Sequence, residues 1–516
     1  MNAIGTGRWW AMGAMTLGVL AVGLDGTILS VALPTLATSL HASETDLQWF
    51  TSGYLLVLAA AMLPAGLLGD RYGRKRVMLA ALALFGVGSI ACAASPSPGA
   101  FIAARVVLGG AGAGVIVMAL SALPVLFSEK ERPRAVSIWA AANFLAFPIG
   151  PILGGWLLTN FWWGWVFLMN VPVAALGLLA VTALVPESRA SERPDLDPVG
   201  MAISTTGLVA MTYGLIQAGS DGWGDVRALG PIFLGLAVLA AFFLWERRLG
   251  SQPGGQPLVD LALFRSASFT WSVILVAVGV VSMIGVLFLM PQYFQGVLGL
   301  DAQTSGVRLL PLVLGLVVGV VPADRLAAKV GAKITVALGF VILGAGLTVA
   351  ATMSLDTGAG LVAAWMAIVG LGMGLAFATT AAAALSELSP ERSGIGSAVL
   401  QAVNKLGGPF GAAVLGSALN SAYQDRLHLA GLPPAAAHGI RNSVFTGDAV
   451  AHQLHSATLL RSVHEAFLHG MDVAFIVSVG IALIGLLLTL IFLPSKSGDR
   501  ATVDAERAQS GHEIVA

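Results

Sequence analysis

An all-α polytopic membrane protein is what this sequence predicts, and three observations carry the prediction: 57% of its 516 residues are hydrophobic, only 10% are charged, and the apolar residues gather in long runs. A soluble domain carries about 25% charged residues, whereas a helix that crosses a bilayer needs about 20 consecutive, mainly apolar residues. The formal net charge of zero leaves no basic surplus to neutralise phosphates, which excludes nucleic acid as a partner. The lone cysteine, Cys92, lies in an apolar stretch, so neither a disulfide framework nor a cysteine metal site is expected.

About fourteen segments have spanning length. The first, 9–34, follows Arg8 and is too long for a signal-peptide core, with no obvious small-residue cleavage site, so it reads as a retained helix. Segments 47–69, 77–95, 99–127, 135–158 and 163–185 complete a first set of six; 198–218 and 228–247 follow. The last six are 267–295, 303–328, 333–352, 358–387, 392–420 and 470–494. Lys and Arg collect after alternate segments: Arg71, Arg74, Lys75 and Arg76; then Lys130, Arg132 and Arg134; then Arg189 and Arg193; then Arg247 and Arg248; then Arg325, Lys329 and Lys333. The connections 35–46, 96–98 and 159–162 contain neither residue. By the positive-inside rule the basic loops, and with them both termini, are expected to be cytoplasmic.

The chain also repeats. Gly66-Leu-Leu-Gly-Asp70-Arg71-Tyr-Gly73-Arg74-Lys75-Arg76 has a weaker echo from Ala323 to Lys333, and Glu131-Arg132-Pro-Arg134 has one in Pro390-Glu391-Arg392. Internal repeats around a midplane site are a common transporter plan. The expected organisation is a six-helix bundle over 1–190, two inserted helices with linkers over 191–265, a second bundle over 266–494 that includes an extracellular loop at 421–469, and a cytoplasmic tail at 495–516.

Within this frame Asp25 stands alone in an apolar span. An ionised Asp at the centre of a spanning helix costs roughly 2.5 to 3.5 kcal/mol, so such residues face a bundle interior and take part in proton or ion movement. Counted from Pro34, Asp25 lies about 13 Å deep, and Arg105, entering near 99, lies roughly 9 Å deep at 1.5 Å per residue. The two can pair. A pair whose burial and partner change as the bundles move would couple motion to protonation; a static ion pair for assembly is the alternative.

These stretches together resemble the major facilitator superfamily, and within it the fourteen-helix drug:proton antiporters of the EmrB/QacA type. Leu24-Asp25-Gly-Thr27 through Pro34 resembles that group's first-helix signature, Gly66 to Arg76 the superfamily's loop between helices 2 and 3, and Arg105-Val-Val-Leu-Gly109-Gly-Ala-Gly112 its fourth-helix motif. Gly150-Pro151-Ile-Leu-Gly154-Gly155 resembles the antiporter motif of helix 5, followed by Trp163-Gly-Trp165 through Asn170-Val-Pro172. The resemblance implies the major facilitator fold, two six-helix bundles plus two inserted helices, in a bacterial cytoplasmic membrane. It implies proton-coupled export of neutral or monovalent cationic amphipathic drugs, with protons as the coupling ion, no cofactor, and a monomer whose partners are small amphipathic substrates, protons and the lipid bilayer. Asp25 and Arg105 then couple protons, Gly66, Asp70, Arg71, Gly73 and Arg74 form a cytoplasmic gate, and Gly150, Pro151, Gly154 and Gly155 pack on the second bundle and disfavour leak. Further carboxylates that some such antiporters carry in helix 13 are absent here, where the chain reads Ser397 to Gly407 with Gln401, Asn404 and Lys405.

The expected cavity wall is Tyr54, Trp139, Asn143, Phe144, Trp271, Gln401 and Asn404. Lys405 either faces inward and favours anionic groups or snorkels to the interface. Six of the eight histidines fall in 421–469, where amphipathic helices are expected; a proton-sensing lid, a metal site through His452 and His455 on one helix face, and plain surface histidines are the alternatives. No nucleophile elbow, phosphate loop or acid cluster suggests an enzyme or an ATP-driven pump. Export of an endogenous lipid or secondary metabolite is the alternative to drug export.

Overall fold

The two basic hairpins of the sequence repeat turn on the same device. Gly73 joins α2 (Glu44–Tyr72) to α3 (Arg74–Ala93) at φ +110°, and Gly331 joins α10 (Leu310–Val330) to α11 (Ala332–Ala350) at φ +89°. Both values lie where a Cβ is strained, so the chain can reverse there with a single residue only because it is glycine. The computed structural model describes residues 4–128, 131–189, 197–252, 257–259, 261–386, 390–429 and 432–494. The tail 495–516 lies outside the described residues.

Ten further long helices complete the set: α1 (Ile4–Ser39), α4 (Pro98–Leu126), α5 (Arg132–Asn160), α6 (Asn170–Leu184), α7 (Pro198–Asp221), α8 (Val226–Gly250), α9 (Ala267–Gln292), α12 (Ala359–Ser386), α13 (Pro390–Arg426) and α14 (Ala457–Phe492). Among the described residues, twelve spans are long and apolar enough to cross a membrane; α5 and α13 are two further long helices, of 29 and 37 residues. Several starts are capped by short polar side chains. Ser43 and Asp46 form a reciprocal capping box at α2, the Asp46 N–H donating to Ser43 Oγ at 3.2 Å and the Ser43 N–H to Asp46 Oδ2 at 2.9 Å. Ser97 caps α4 just before Pro98, whose missing N–H costs nothing in the first turn.

The bundles have the same internal pairing. α1 packs on α5, α2 on α4, α3 on α4 and α6; eight helices later, α9 packs on α13, α10 on α12, and α11 on α12 and α14. The seam between bundles obeys the same correspondence, since α2 meets α13 on one side and α5 meets Ala302–Arg308, just before α10, on the other. The inserted α7 lies against α2 and α13, where Ser417 Oγ donates to Leu215 O at 2.5 Å and Asn420 Nδ2 to Gly219 O at 3.1 Å. Its partner α8 presents Phe233, Leu234 and Leu244 outward, the face expected towards lipid.

Three expected elements differ. The sixth segment is split into Trp165–Leu168 and α6, because Pro172 has no N–H to offer the carbonyl of Leu168. The tenth is split at Leu309, ahead of Pro311. The last begins at Ala457 rather than 470, since Ser456 Oγ accepts from the Leu459 N–H at 3.2 Å and starts the helix beyond the apolar run. In the loop, Pro434–Asn442 and Val444–Gln453 are the expected short helices.

Candidate functional site

A buried ion pair lies inside the first bundle. Arg105 on α4 is 0% exposed and Asp25 on α1 is 1% exposed. Arg105 Nη1 donates to Asp25 Oδ2, its Nε donates to Phe50 O at 3.2 Å, and its guanidinium carbon sits 3.9 Å from the centre of the Tyr54 ring. Asn170 Nδ2 at the start of α6 stands 3.4 Å from both Asp25 Oδ1 and Ser89 Oγ. A charge pair with this many donors and acceptors can persist in an apolar bundle, because each charge keeps partners in place of water. Tyr54 closes the arrangement on the inner side, its hydroxyl donating to Val22 O at 3.1 Å.

Between the bundles lies a cavity of about 220 Å³. Gly23, Gly26, Thr27 and Ser30 of α1 and Tyr54 of α2 form part of one wall; Met283, Leu287 and Phe288 of α9 and Met373 and Phe377 of α12 form most of the other. Polar groups enter from α13, where Gln401, Asn404 and Lys405 follow one another along the wall. Trp139 of α5 also lines it.

The end of the cavity away from the basic loops is sealed by direct contact between bundles. Ser52 Oγ donates to Pro409 O at 3.2 Å, and Gln295 Nε2 donates to Val31 O at 3.0 Å. Gln292 Nε2 stands 3.3 Å from Oε1 of the buried Glu44. A Cβ on Gly155 would lie 2.5 Å from Ala302 O and 2.7 Å from Gln303 Cα, and one on Gly306 would strike Pro151 O. At the basic end, among the described residues, Arg8 Nη2 pairs with Glu131 Oε1 at 2.7 Å, Arg74 Nη2 with Asp70 Oδ1 at 2.8 Å, and Arg76 Nε with Glu187 Oε2 at 3.6 Å, all within the first bundle. Glu131 is held below the usual carboxylate range, first by the Ser128 hydroxyl and then by Arg8.

Of the expected wall residues, Tyr54, Trp139, Gln401 and Asn404 line the cavity. Trp271 does not: it stacks flat on Phe492 of α14, ring centres 4.0 Å apart, at the basic end of α9. The side chains of Asn143 and Phe144 lie outside the described residues. Asp25 and Arg105 come together as their depths require, yet neither lines the cavity. The cavity face of α1 runs through Val22, Gly26, Ser30 and Leu33, and at about 100° per residue Asp25 points roughly a third of a turn away from it.

The glycines of helix 5 divide their work. Gly150 and Gly154 bring α5 against Thr27 and Ile28 of α1, in the same bundle, while Pro151 and Gly155 meet the second bundle. In the loop after α2, Asp70 is engaged by Arg74, which the Gly73 turn folds back over the helix end. Gly66 packs against Val117 of α4, and the Arg71 guanidinium lies 5.9 Å from the centre of the Tyr72 ring. His455 follows the end of its helix at φ +49° and so cannot share a helix face with His452. Asp448 instead receives His464 at 3.1 Å and His452 at 3.6 Å, and no group of three metal-ligating side chains occurs among the described residues. Two features were not singled out from the sequence: Glu44, which meets Gln292 across the bundle seam, and the Met and Phe wall of α9 and α12.

The family model described as Major Facilitator Superfamily matches residues 15–412. The chain is 34% identical to the tetracenomycin C resistance and export protein of Streptomyces glaucescens, over 96% of this chain and 93% of the relative. It is 33% identical to the multidrug efflux pump LfrA of Mycolicibacterium smegmatis, over 90% and 92%. In fold it is similar to a solved bacterial homologue of the human lysosomal transporter Spinster, in an inward-facing, unoccupied conformation, with a TM-score of 0.68 and 16% identity over 96% of this chain and all of that one.

Proposed function

The chain belongs to the major facilitator superfamily, and we propose that it exports amphipathic antibiotics and drugs through its central cavity in exchange for protons. It is a multi-pass membrane protein and a secondary transporter, not an enzyme. Two relatives spanning nearly its whole length are named for export or efflux, one of a single antibiotic and one of many drugs. The membrane is the bacterial cytoplasmic one, both termini and the basic loops face the cytoplasm, and the transporter works as a monomer with no cofactor beyond the coupling proton.

The observation that carries this reading is the cavity between two pseudo-equivalent bundles, sealed at one end by contacts that a small rocking motion would break. Substrate enters from the cytoplasmic end, the seam opens, and the basic end closes. Asp25 sits on the helix that also forms the cavity wall, so rotation of α1 alters its distance from Arg105 and hence its hold on a proton. The drive is sufficient, since each 100 mV supplies about 2.3 kcal/mol per charge moved. Export of an endogenous secondary metabolite is the second reading, favoured by the relative named for tetracenomycin C.

Cells expressing the protein and loaded with the fluorescent amphipath pyrenebutanol test it. They should retain less dye than cells without it, and a protonophore should abolish the difference. Equal retention in both cells would refute export of neutral amphipaths.

A further inference from the structure

Lys405 is a cation set into an apolar wall. It lines the central cavity, is partly buried, and has no ion-pair partner among the described residues. No Asp or Glu lines the cavity among the described residues, and the acid nearest in depth, Asp25, faces away and is already engaged by Arg105. One turn beyond Lys405, Gly408 packs against Leu55 and Pro409 O accepts from Ser52, so Lys405 leaves α13 one turn from the closed seam and well inside the helix. Counting from Pro390, it is about 22 Å along α13.

A partly buried ammonium with no ion-pair partner among the described residues, beside methionine, leucine and phenylalanine side chains, is less well hydrated than one in bulk water, and an opposite charge on a ligand offsets that loss best. An anionic group on a ligand supplies that; a cationic ligand meets a like charge with no acid to offset it. Gln401, one turn earlier on the same face, and Asn404 carry amide donors beside the lysine. A carboxylate or phenolate oxygen accepting from Lys405 Nζ can therefore take a second bond from an amide, and bonds to a charged group are the stronger kind. The Met and Phe wall opposite receives the apolar body and, through methionine's flexible thioether, adapts to its shape.

We infer that Lys405 is an anion hook and that the central cavity selects amphipathic compounds bearing one acidic group, a carboxylate or a phenolate, over their neutral and cationic counterparts. This rests on the export reading above and narrows its substrate class, away from the neutral or monovalent cationic compounds expected from the sequence.

The test is equilibrium binding of three matched probes to the purified full chain in lipid nanodiscs: pyrenebutyrate, pyrenebutanol and pyrenebutyltrimethylammonium. The wild type should bind the carboxylate about tenfold or more tighter than the alcohol, and the ammonium most weakly. Lys405→Met should erase the carboxylate preference with the alcohol affinity unchanged, and Lys405→Arg should retain it. Equal loss of both probes in Lys405→Met would signal misfolding, and the wild-type order of the three probes then decides. A wild type that favours the ammonium, or a Lys405→Met protein that keeps the carboxylate preference, overturns the inference. Uphill export of the same three probes separates the two proposals: export without any charge preference removes only the hook, whereas no export of any probe removes the export reading itself.

Discussion

Gly155→Ala should act as a wedge in the seam. The added Cβ would stand 2.5 Å from Ala302 O and 2.7 Å from Gln303 Cα, against an ordinary contact of at least 3.4 Å, so α5 and the Ala302–Arg308 helix must separate by 3.4 − 2.5 = 0.9 Å. Both obstacles are backbone atoms, and no change of rotamer relieves them. Overpacking of this kind costs about 1–3 kcal/mol, and the cost falls only on the state in which this seam is shut. The ratio of seam-open to seam-shut molecules should therefore rise by about 5- to 150-fold. Ser30→Cys supplies the reporter, because Ser30 lines the cavity and the native Cys92 is 0% exposed. The rate at which a membrane-impermeant methanethiosulfonate, added on the face opposite the basic loops, modifies position 30 should rise with Gly155→Ala, approaching that factor where the shut state dominates. An unchanged or slower rate would refute the seam as the gate, because the clash would then be absorbed without opening.

Two further perturbations probe the parts around it. Arg105→Met leaves the buried Asp25 carboxylate without its main partner and should cost about 3–5 kcal/mol; by thermal shift it should unfold below the Asp25→Asn, Arg105→Gln double variant, and the reverse order would show that the pair contributes little. Gly73→Ala forces a side chain into φ +110° and 2.6 Å from Glu187 Oε1; the backbone part alone costs about 1–3 kcal/mol, so adding Glu187→Ala should recover only part of the lost thermal stability, and full recovery would show that φ is not the constraint.

The architecture was legible because spanning helices, basic loops and the repeated hairpin are all one-dimensional signals. The paired depths of Asp25 and Arg105 were legible for the same reason. Facing was not. A helix with lipid on one side and apolar neighbours on the other has little polarity contrast to mark its inner face, so Trp271 reads as a wall residue although it stacks on Phe492, and Phe288 and Met373 were not singled out although they line the cavity. Asp25 illustrates the same limit: its burial follows from its span, but its turn away from the cavity follows only from which neighbours α1 meets. Glu44 was hidden because its role depends on Gln292, 248 residues away in sequence. The split helices followed prolines that were visible, though length alone ran each segment through them.

The most direct test of proton-coupled export is transport by the reconstituted protein with both fluxes recorded at once. Pyrenebutanol efflux from proteoliposomes would be followed together with a trapped pH dye, for the wild type and Asp25→Asn. The wild type should move probe uphill only while a proton gradient exists, with protons moving the other way. Asp25→Asn should still bind the probe, since Asp25 is not part of the cavity wall, but should no longer exchange it for protons. An Asp25→Asn protein that pumps uphill with undiminished proton flux would contradict the account.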